Sequence, residues 1–356
     1  AARPTGTETY SRRLIQALLA SDSSHQFRLY FRTAPPAGAF PGADARPIPF
    51  PRLWTHARLS WEMARRPPDA LFVPAHVLPL VHPCASLVTV HDLGYLHFPQ
   101  AHPWRQRLYL DLSTRWSARA AAHILADSEA AKADLAARYG TPPEKITVAY
   151  PGYDETLAPV RDPAAIEAVK ARYAISGDYF LYLGTLQPRK NLPRLVEAFA
   201  KFAIRNSQFA IQLVLAGKRG WLYDDLFTQV RRLGLEGRVL FPGYVSEEEK
   251  AALLSGALAF VFPSLYEGFG LPVLEAQTCG CPVVASSTSS LPEAAGDGAL
   301  LVDPADTAAI GAAMQRVSSD PALRESLVER GFVNVRRFSW AACAQSVLDV
   351  IEQFVV

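Results

Sequence analysis

Glu267-Gly-Phe-Gly-Leu-Pro-Val-Leu-Glu275 is the stretch of this 356-residue chain from which its organisation is read. The apolar run 259–263 ahead of it reads as a strand, and Ser264-Leu-Tyr leads from that strand to the glycines. Gly268 and Gly270 allow positive φ and close approach of the backbone to a ligand. Pro272 suits the first position of a helix, so the expected order is strand, glycine loop, helix. A helix N-terminus favours an anion, and here a carboxylate stands at each end of the stretch. A phosphate cradle joined to two acceptors for sugar hydroxyls is what an enzyme using a nucleotide sugar requires. Taken singly, the acids have plainer readings: Glu275 complements the helix dipole and Glu267 is a loop acid.

The same alternation extends in both directions. Before Pro142 the pattern predicts strands over 26–31, 70–73, 86–90, 123–126 and 146–148, with helices over 8–20, 104–121 and 129–139. Asp127-Ser128 supplies an N-cap and Gly140 a C-cap to the last of these. After Tyr150-Pro-Gly-Tyr-Asp154 a second series follows, with strands at 180–184, 212–216, 239–242, 259–263 and 283–285. Its helices fall at 191–202, 224–233, 247–255 and 272–279, and Ser246 with Glu249 has the form of a capping box. Strands alternating with helices mean an α/β class with parallel sheets covered on both faces. The expected domains are 1–152 and 153–337, two Rossmann-like halves facing across a cleft, with a helix at 338–356 crossing back to the first. In such sheets ligands sit beyond the carboxyl ends of strands, so residues that follow strands are the candidates.

At 49% hydrophobic, the chain has apolar residues enough for two cores. Its net charge is +2, but residues up to 154 hold seventeen Lys and Arg against twelve Asp and Glu, and the remainder nineteen against twenty-two. A basic first half suits an anionic membrane surface or a phosphorylated acceptor, or is simply a solvated face. Cys84, Cys279, Cys281 and Cys343 lack the spacing of a zinc site and read as buried free thiols in a reducing compartment. The longest apolar run, near 251–262, is cut by Gly256 and Pro263 and is too short to span a bilayer.

Arg189 and Lys190 lie between the strand ending at Gly184 and a helix, placed to neutralise a departing diphosphate without a metal. On its own the pair also reads as a solvated loop. His91-Asp92 follows the 86–90 strand, while His76 after the 70–73 strand is a weaker candidate, on the side of the acceptor. The helix from Trp104 carries Arg105, Arg107, Arg115 and Arg119 beside Leu108, Leu112 and Trp116, a pattern suited to anionic lipid. Asp111, four residues from Arg107 and Arg115, offers the alternative of an ion-paired solvated face.

From Pro263 through Pro282 the order of residues resembles the retaining glycosyltransferases of family 4, which have the GT-B fold. Their E-x7-E element stands complete as Glu267 and Glu275. Arg189-Lys190-Asn191, Phe241-Pro-Gly243-Tyr244-Val245 and Asp127-Ser128-Glu129 match in order and approximate spacing, and the resemblance covers nearly the whole chain. It implies that Arg189 and Lys190 bind the diphosphate, Glu267 the hydroxyls of the donor sugar and Glu275 the ribose. It also implies that Gly184 and the backbone of Gly268, Phe269, Gly270 and Leu271 meet sugar and phosphate, with Tyr244 and Val245 flanking the base. By the same resemblance His91 contacts the transferred hexose or the reacting centre, and Asp92 orients His91 or the acceptor. Thr5-Gly6-Thr7 resembles the family's glycine loop, with Gly6 where many relatives have two or more glycines. The strand that should precede that loop is central in a Rossmann-like sheet, so the natural protein is expected to carry residues upstream.

The implied reaction transfers a hexose, mannose by overall resemblance, from a GDP- or UDP-linked donor to a glycan or lipid-linked acceptor. No cofactor and no metal is expected, nucleic acid is not an expected partner, and the expected location is the cytoplasm, at most peripheral to the membrane. A non-catalytic nucleotide-sugar-binding or scaffold protein on the same fold is the alternative. A glycoside hydrolase would place two carboxylates across a scissile bond and has no use for a diphosphate clamp. A dinucleotide oxidoreductase is disfavoured, since no G-x-G-x-x-G follows a strand.

Overall fold

The computed structural model describes residues 6–355 apart from 102, 207, 219 and 221–223; the start of the expected glycine loop, at Thr5, lies outside them. The chain forms two compact units, one of residues 1–152 with 338–356 and one of residues 153–337.

The first unit contains β1 (Arg28–Phe31), β2 (Asp44–Pro47), β3 (Leu71–Val73), β4 (Ser86–Val90), β5 (His123–Ala126) and β6 (Ile146–Val148). β1 and β2 form a two-stranded parallel sheet, and β3-β4-β5-β6 form a four-stranded one, also parallel. β4 and β5 are buried along their whole length, as strands covered on both faces must be. Alternation sends their side chains to two cores. Val88, Val90 and Ile124 join Leu59, Met63 and Leu93 on one face. Leu87 and Leu125 meet Leu14, Leu18, Val347 and Leu348 on the other. The last four belong to the helices Gly6–Ala20 and Trp340–Glu352, so the C-terminal helix completes the core of this unit. Gly6 lies in the first of these helices rather than in a loop.

The second unit contains β7 (Tyr179–Leu183), β8 (Gln212–Ala216), β9 (Val239–Gly243), β10 (Ala259–Phe262), β11 (Val283–Ser286) and β12 (Ala299–Val302). All its pairings are parallel, in the order β12-β11-β10-β7-β8-β9. Counted from β7 this is the doubly wound order 6-5-4-1-2-3, which reverses direction between β7 and β10. The two strands at that reversal are joined by aromatic packing, with Tyr182 stacked on Phe262 at 5.8 Å between ring centroids.

Local readings needed adjustment where polar side chains found partners of their own. The Ser246 hydroxyl donates to the Glu249 carboxylate at 2.9 Å, so the reciprocal side chain–backbone box does not form. Asp111 pairs with Arg115 at 3.5 Å and accepts from the Tyr139 hydroxyl at 2.9 Å. Cys279, Cys281 and Cys343 are buried thiols, but Cys84 is exposed, because the loop that carries it precedes β4 at the surface.

Gly152 marks where the chain passes under the C-terminal helix. A Cβ there would lie 2.2 Å from the backbone nitrogen of Trp340, whereas one at Gly6 would meet nothing within 4 Å. Gly152→Ala is therefore expected to lower the thermal midpoint by about 5 °C or more, since displaced backbone costs roughly 2 kcal/mol. Gly6→Ala should leave the midpoint within about 2 °C, because its methyl group enters open space. Equal midpoints for the two variants in a thermal melt would refute this account of the helix seat.

Candidate functional site

The reversal point between β7 and β10 is where a doubly wound sheet opens a crevice beyond its strand ends. Both cations and the first acid of the sequence motifs converge there. After β7 the chain passes Gly184, where a Cβ would sit 2.7 Å from the Tyr182 hydroxyl, and reaches the short turn Pro188–Lys190. Asn191 then adopts φ 61° and starts the helix Leu192–Arg205. Positive φ is uncommon for a residue with a side chain, and Asn191 is held in it from two directions. Its amide donates to the carbonyls of Pro263 at 3.1 Å and Pro304 at 2.6 Å.

The loop after β10 is tied to the same turn. Leu265 N–H donates to the Arg189 carbonyl at 2.8 Å, and Arg189 Nη1 donates to the Tyr266 carbonyl at 2.7 Å. Arg189 Nη1 also reaches Glu267 Oε2 at 2.6 Å, while Lys190 Nζ bonds the other carboxylate oxygen. Lys190 lies over the Phe262 ring as well, 4.8 Å from its centroid. Burial would raise the Glu267 carboxyl, but Lys190 and Arg189 outweigh it and hold the group down at about 2. The carboxylate is thus charged at neutral pH with a cation on each oxygen.

Two serines that the sequence reading passed over brace this loop from β11. Glu267 N–H donates to Ser289 Oγ at 2.9 Å, and the Ser290 hydroxyl donates to the carbonyls of Glu267 and Phe269. Ser289 itself has φ 51°. Of the two motif glycines only Gly270 has positive φ, at 128°; its Cβ position lies 2.7 Å from Leu291. The helix Leu271–Thr278 begins next, so Pro272 is its second residue rather than its first.

Glu275 has a cation of its own. Lys250, from the helix after β9, donates to Glu275 Oε1 at 2.9 Å and pairs with Glu247 at 2.6 Å. Burial raises the Glu275 carboxyl and Lys250 opposes it. Lys250 lies in no sequence motif, and Glu247 three residues earlier on its helix is an ordinary partner for it; what marks it is the burial of its side chain. In the loop after β9, Tyr244 is exposed but Val245 is 7% exposed and joins the core. Phe269 is likewise buried.

In the first unit His91 follows β4 and is buried. Its Nδ1 bonds Asp127 Oδ2 at 2.7 Å. The expected partner Asp92 instead accepts from the Gly94 N–H at 2.7 Å, closing its own turn. Asp127-Ser128-Glu129 is both a cap and a stretch that matches the family pattern; the capping itself is done by Ser128, which accepts from Ala131 N–H at 3.0 Å. Burial pulls the His91 imidazole down, but the charge and hydrogen bond of Asp127 together with the charge of Asp92 outweigh it and raise the imidazole above its ordinary value. His76 Nε2 accepts from the His91 N–H at 3.4 Å, and burial with the nearby His91 lowers its imidazole to about 4. Tyr10 packs edge-on to His91 with ring centroids 4.6 Å apart. Among the described residues no group of three His, Cys, Asp or Glu side chains is placed to hold a metal.

Two family models match the chain, one described as Glycosyltransferase Family 4 over residues 4–157 and one as Glycosyl transferases group 1 over residues 167–333. The chain is 35% identical over 265 residues to O-antigen chain mannosyltransferase B of Escherichia coli, covering 74% of this chain and 69% of that protein. It is 31% identical over 189 residues to the serotype-specific mannosyltransferase WbdA of Escherichia coli, of which it spans only 23%. Among solved structures, Anabaena HepE in complex with UDP and glucose superposes with a TM-score of 0.74 over 99% of this chain and 97% of that one. At 18% identity that likeness establishes the fold.

The ion cluster has a pH signature. Glu267 is held below the ordinary glutamate value of about 4.5, so its contribution is present above that pH and is lost as pH falls toward about 2. Glu267→Gln should cost about 3 kcal/mol at pH 6, and the gap from wild type should narrow as pH drops from 5 toward 2. Urea unfolding across that range measures it, and a gap independent of pH would show that Glu267 is not stabilised by Arg189 and Lys190.

Proposed function

The chain belongs to glycosyltransferase family 4, and we propose that it transfers mannose with retention of configuration from GDP-mannose to a glycan or lipid-linked acceptor in surface polysaccharide synthesis. The observation that carries this reading is the convergence of Arg189, Lys190 and Glu267 on the crevice between β7 and β10. A sugar–diphosphate bond breaks with negative charge growing on the leaving oxygens, and groups already oriented toward that charge lower the barrier most. Arg189 and Lys190 meet this need, and being cations they do so without a metal in the scheme. They are also fixed in advance, one by the Tyr266 carbonyl and both by Glu267.

Glu267 accepts from the hydroxyls of the donor sugar while its charge keeps the cations in register. Glu275, steadied by Lys250, takes the ribose hydroxyls, and exposed Tyr244 takes the base. Departure of the nucleoside diphosphate leaves a phosphate oxygen to accept the acceptor's proton, and the acceptor oxygen bonds the anomeric carbon from the same face. His91, oriented through Nδ1 by Asp127, serves the transferred hexose through Nε2. The mannose and surface-glycan parts of the reading rest on similarity to the two Escherichia coli mannosyltransferases.

Contact with anionic lipid is the further part of this reading. Among the described residues no helix is long and apolar enough to cross a membrane. The helix Trp104–Ala120, however, buries its small residues Ser113, Thr114, Ser117 and Ala118 and exposes Trp104, Leu108, Leu112 and Trp116. Arg105, Arg107, Arg115 and Arg119 are exposed on the same helix. Large apolar groups interleaved with arginines suit a cytoplasmic enzyme resting on an anionic leaflet.

Two measurements check these readings. Lys190→Ala should lower kcat/KM with GDP-mannose at least tenfold, about 1.4 kcal/mol at the transition state, in a protein that remains folded. In a thermal-shift panel GDP-mannose should stabilise the protein more than UDP- or ADP-sugars do, its own stabilisation over the ligand-free protein being roughly 2.7 kcal/mol at a hundred times its dissociation constant. A wild-type rate in the variant, or nucleotide binding with no turnover on any acceptor, would contradict transfer by this site. Replacing Leu108 and Leu112 with Asp should reduce co-sedimentation with phosphatidylglycerol vesicles at least fivefold and leave turnover on a soluble acceptor unchanged. Undiminished co-sedimentation would remove this helix from the membrane contact.

A further inference from the structure

Behind the His91–Asp127 pair lies a second layer of polar side chains that the reaction does not use. Alternation along β4 and β5 turns Thr89 and Asp127 to the same face of the sheet as Leu87 and Leu125. That face is covered by the helices Gly6–Ala20 and Trp340–Glu352, which bring Tyr10 and Cys343 down onto it. All four residues are buried. Asp127 gives Oδ2 to His91 Nδ1, yet its Oδ1 has no hydrogen-bond partner among the described residues. The Tyr10 and Thr89 hydroxyls have none either.

A buried polar atom left in this state is destabilising, a carboxylate oxygen most of all. Cys343 does not relieve it, since its thiol leans to the Ala149 carbonyl at 3.8 Å. The three orphaned atoms are neighbours: the Tyr10 hydroxyl lies beside Thr89 and feels the charge of Asp127. Burial, with Asp127 and Cys343 adding to it, holds the Tyr10 phenol well above its ordinary value, so it keeps its proton and donates. Burial also raises the Asp127 carboxyl against the pull of His91, and Asp92 adds to the rise. Two hydroxyl donors and a charged acceptor around one point are the partners that an internal water needs.

The same tyrosine packs on the imidazole. Its ring stands edge-on to His91 at 4.6 Å between centroids, and edge-on at 5.7 Å to Trp340, the first residue of the C-terminal helix. Ser11, the next residue, donates to the Pro74 carbonyl at 3.0 Å, which ties the first helix to the segment carrying His76. His76 accepts from the His91 N–H on that side. The titratable groups around the pair are thus Asp92 and His76, with Tyr10 and Cys343 from the two covering helices.

We propose that Tyr10 is a positioning residue for His91. Its ring holds the imidazole on Asp127, and its hydroxyl, with that of Thr89, binds one internal water that donates to Asp127 Oδ1. The effect on catalysis rests on the reading of His91 as the group that meets the transferred hexose; the water site does not.

A donor on Oδ1 draws charge from the carboxylate and lowers the proton affinity of the whole pair, so losing it raises the pH at which His91 titrates. Imidazole NMR of the substrate-free protein reads this without turnover, with the His91 signal assigned by its loss in His91→Gln. In Tyr10→Phe, which keeps the ring and removes the hydroxyl, the His91 midpoint should rise by about half a pH unit or more, and Thr89→Val should move it the same way. The double variant should show less than the sum of the two, because both hydroxyls act through one water. Turnover at saturating substrates should fall about fivefold or more in Tyr10→Phe, with KM for the donor little changed. A His91 midpoint that stays in place or falls in folded Tyr10→Phe overturns the proposal. So does a crystal structure in which no water lies within about 3.2 Å of Tyr10 Oη, Thr89 Oγ1 and Asp127 Oδ1. A raised midpoint beside wild-type turnover in His91→Gln would support the water site and overturn the hexose role of His91 instead.

Discussion

The second unit's site depends on one carboxylate holding two cations. Glu267 places one oxygen on Arg189 and the other on Lys190, residues 78 and 77 positions away, across the point where the sheet changes direction. Removing Glu267 takes from both cations their shared carboxylate, and removing either cation strips one carboxylate oxygen of its donor, which in a low-dielectric setting is costly. The surrounding contacts prevent the alternatives. The Asn191 amide spans the two loops, Ser289 and Ser290 fix the glycine loop from beneath, and Phe262 floors Lys190. An arrangement this constrained has its charges in place before any ligand arrives, the condition for electrostatic catalysis of phosphate departure.

The cluster also has a charge balance worth following. Glu267 offsets part of the charge of Arg189 and Lys190, so the field of the pair is weaker than the two cations would exert alone. Glu267 therefore does two things at once: it limits the field of the pair and offers its own acceptors. Lys250 and Glu275 repeat the arrangement on a smaller scale, with Glu247 as the outer partner. In the first unit the His91–Asp127 pair is the corresponding buried charge, with Tyr10 and His76 packed against the imidazole.

Much of this was legible because strand ends and helix starts leave local marks. β4, β5 and β8 fall at the bounds their apolar runs predict, since fully buried strands read as nearly continuous apolar residues, and the partly buried edge strand β6 does so too. β2 left no such mark, because Asp44-Ala-Arg-Pro47 is an exposed edge strand of charged residues and a proline. Within the site, the residue types near Glu267 and Arg189 were readable, but their pairing was not, since contacts between distant loops follow from sheet order rather than local pattern. Asp127 shows the same limit: beside Ser128 it looked like part of a cap, and only the pairing of β4 with β5 brings it to His91. Val245 shows the converse, a loop residue by position whose side chain the core absorbs.

The central claim is that Arg189 and Lys190 form the diphosphate site and that Glu267 restrains them rather than binding phosphate itself. Calorimetric titration of GDP into Glu267→Gln and wild-type protein at neutral pH tests it most directly. The amide removes the negative charge beside the phosphate seat, so GDP should bind the variant at least as tightly as wild type even as sugar transfer falls. A GDP dissociation constant raised tenfold or more in the folded variant would contradict the claim.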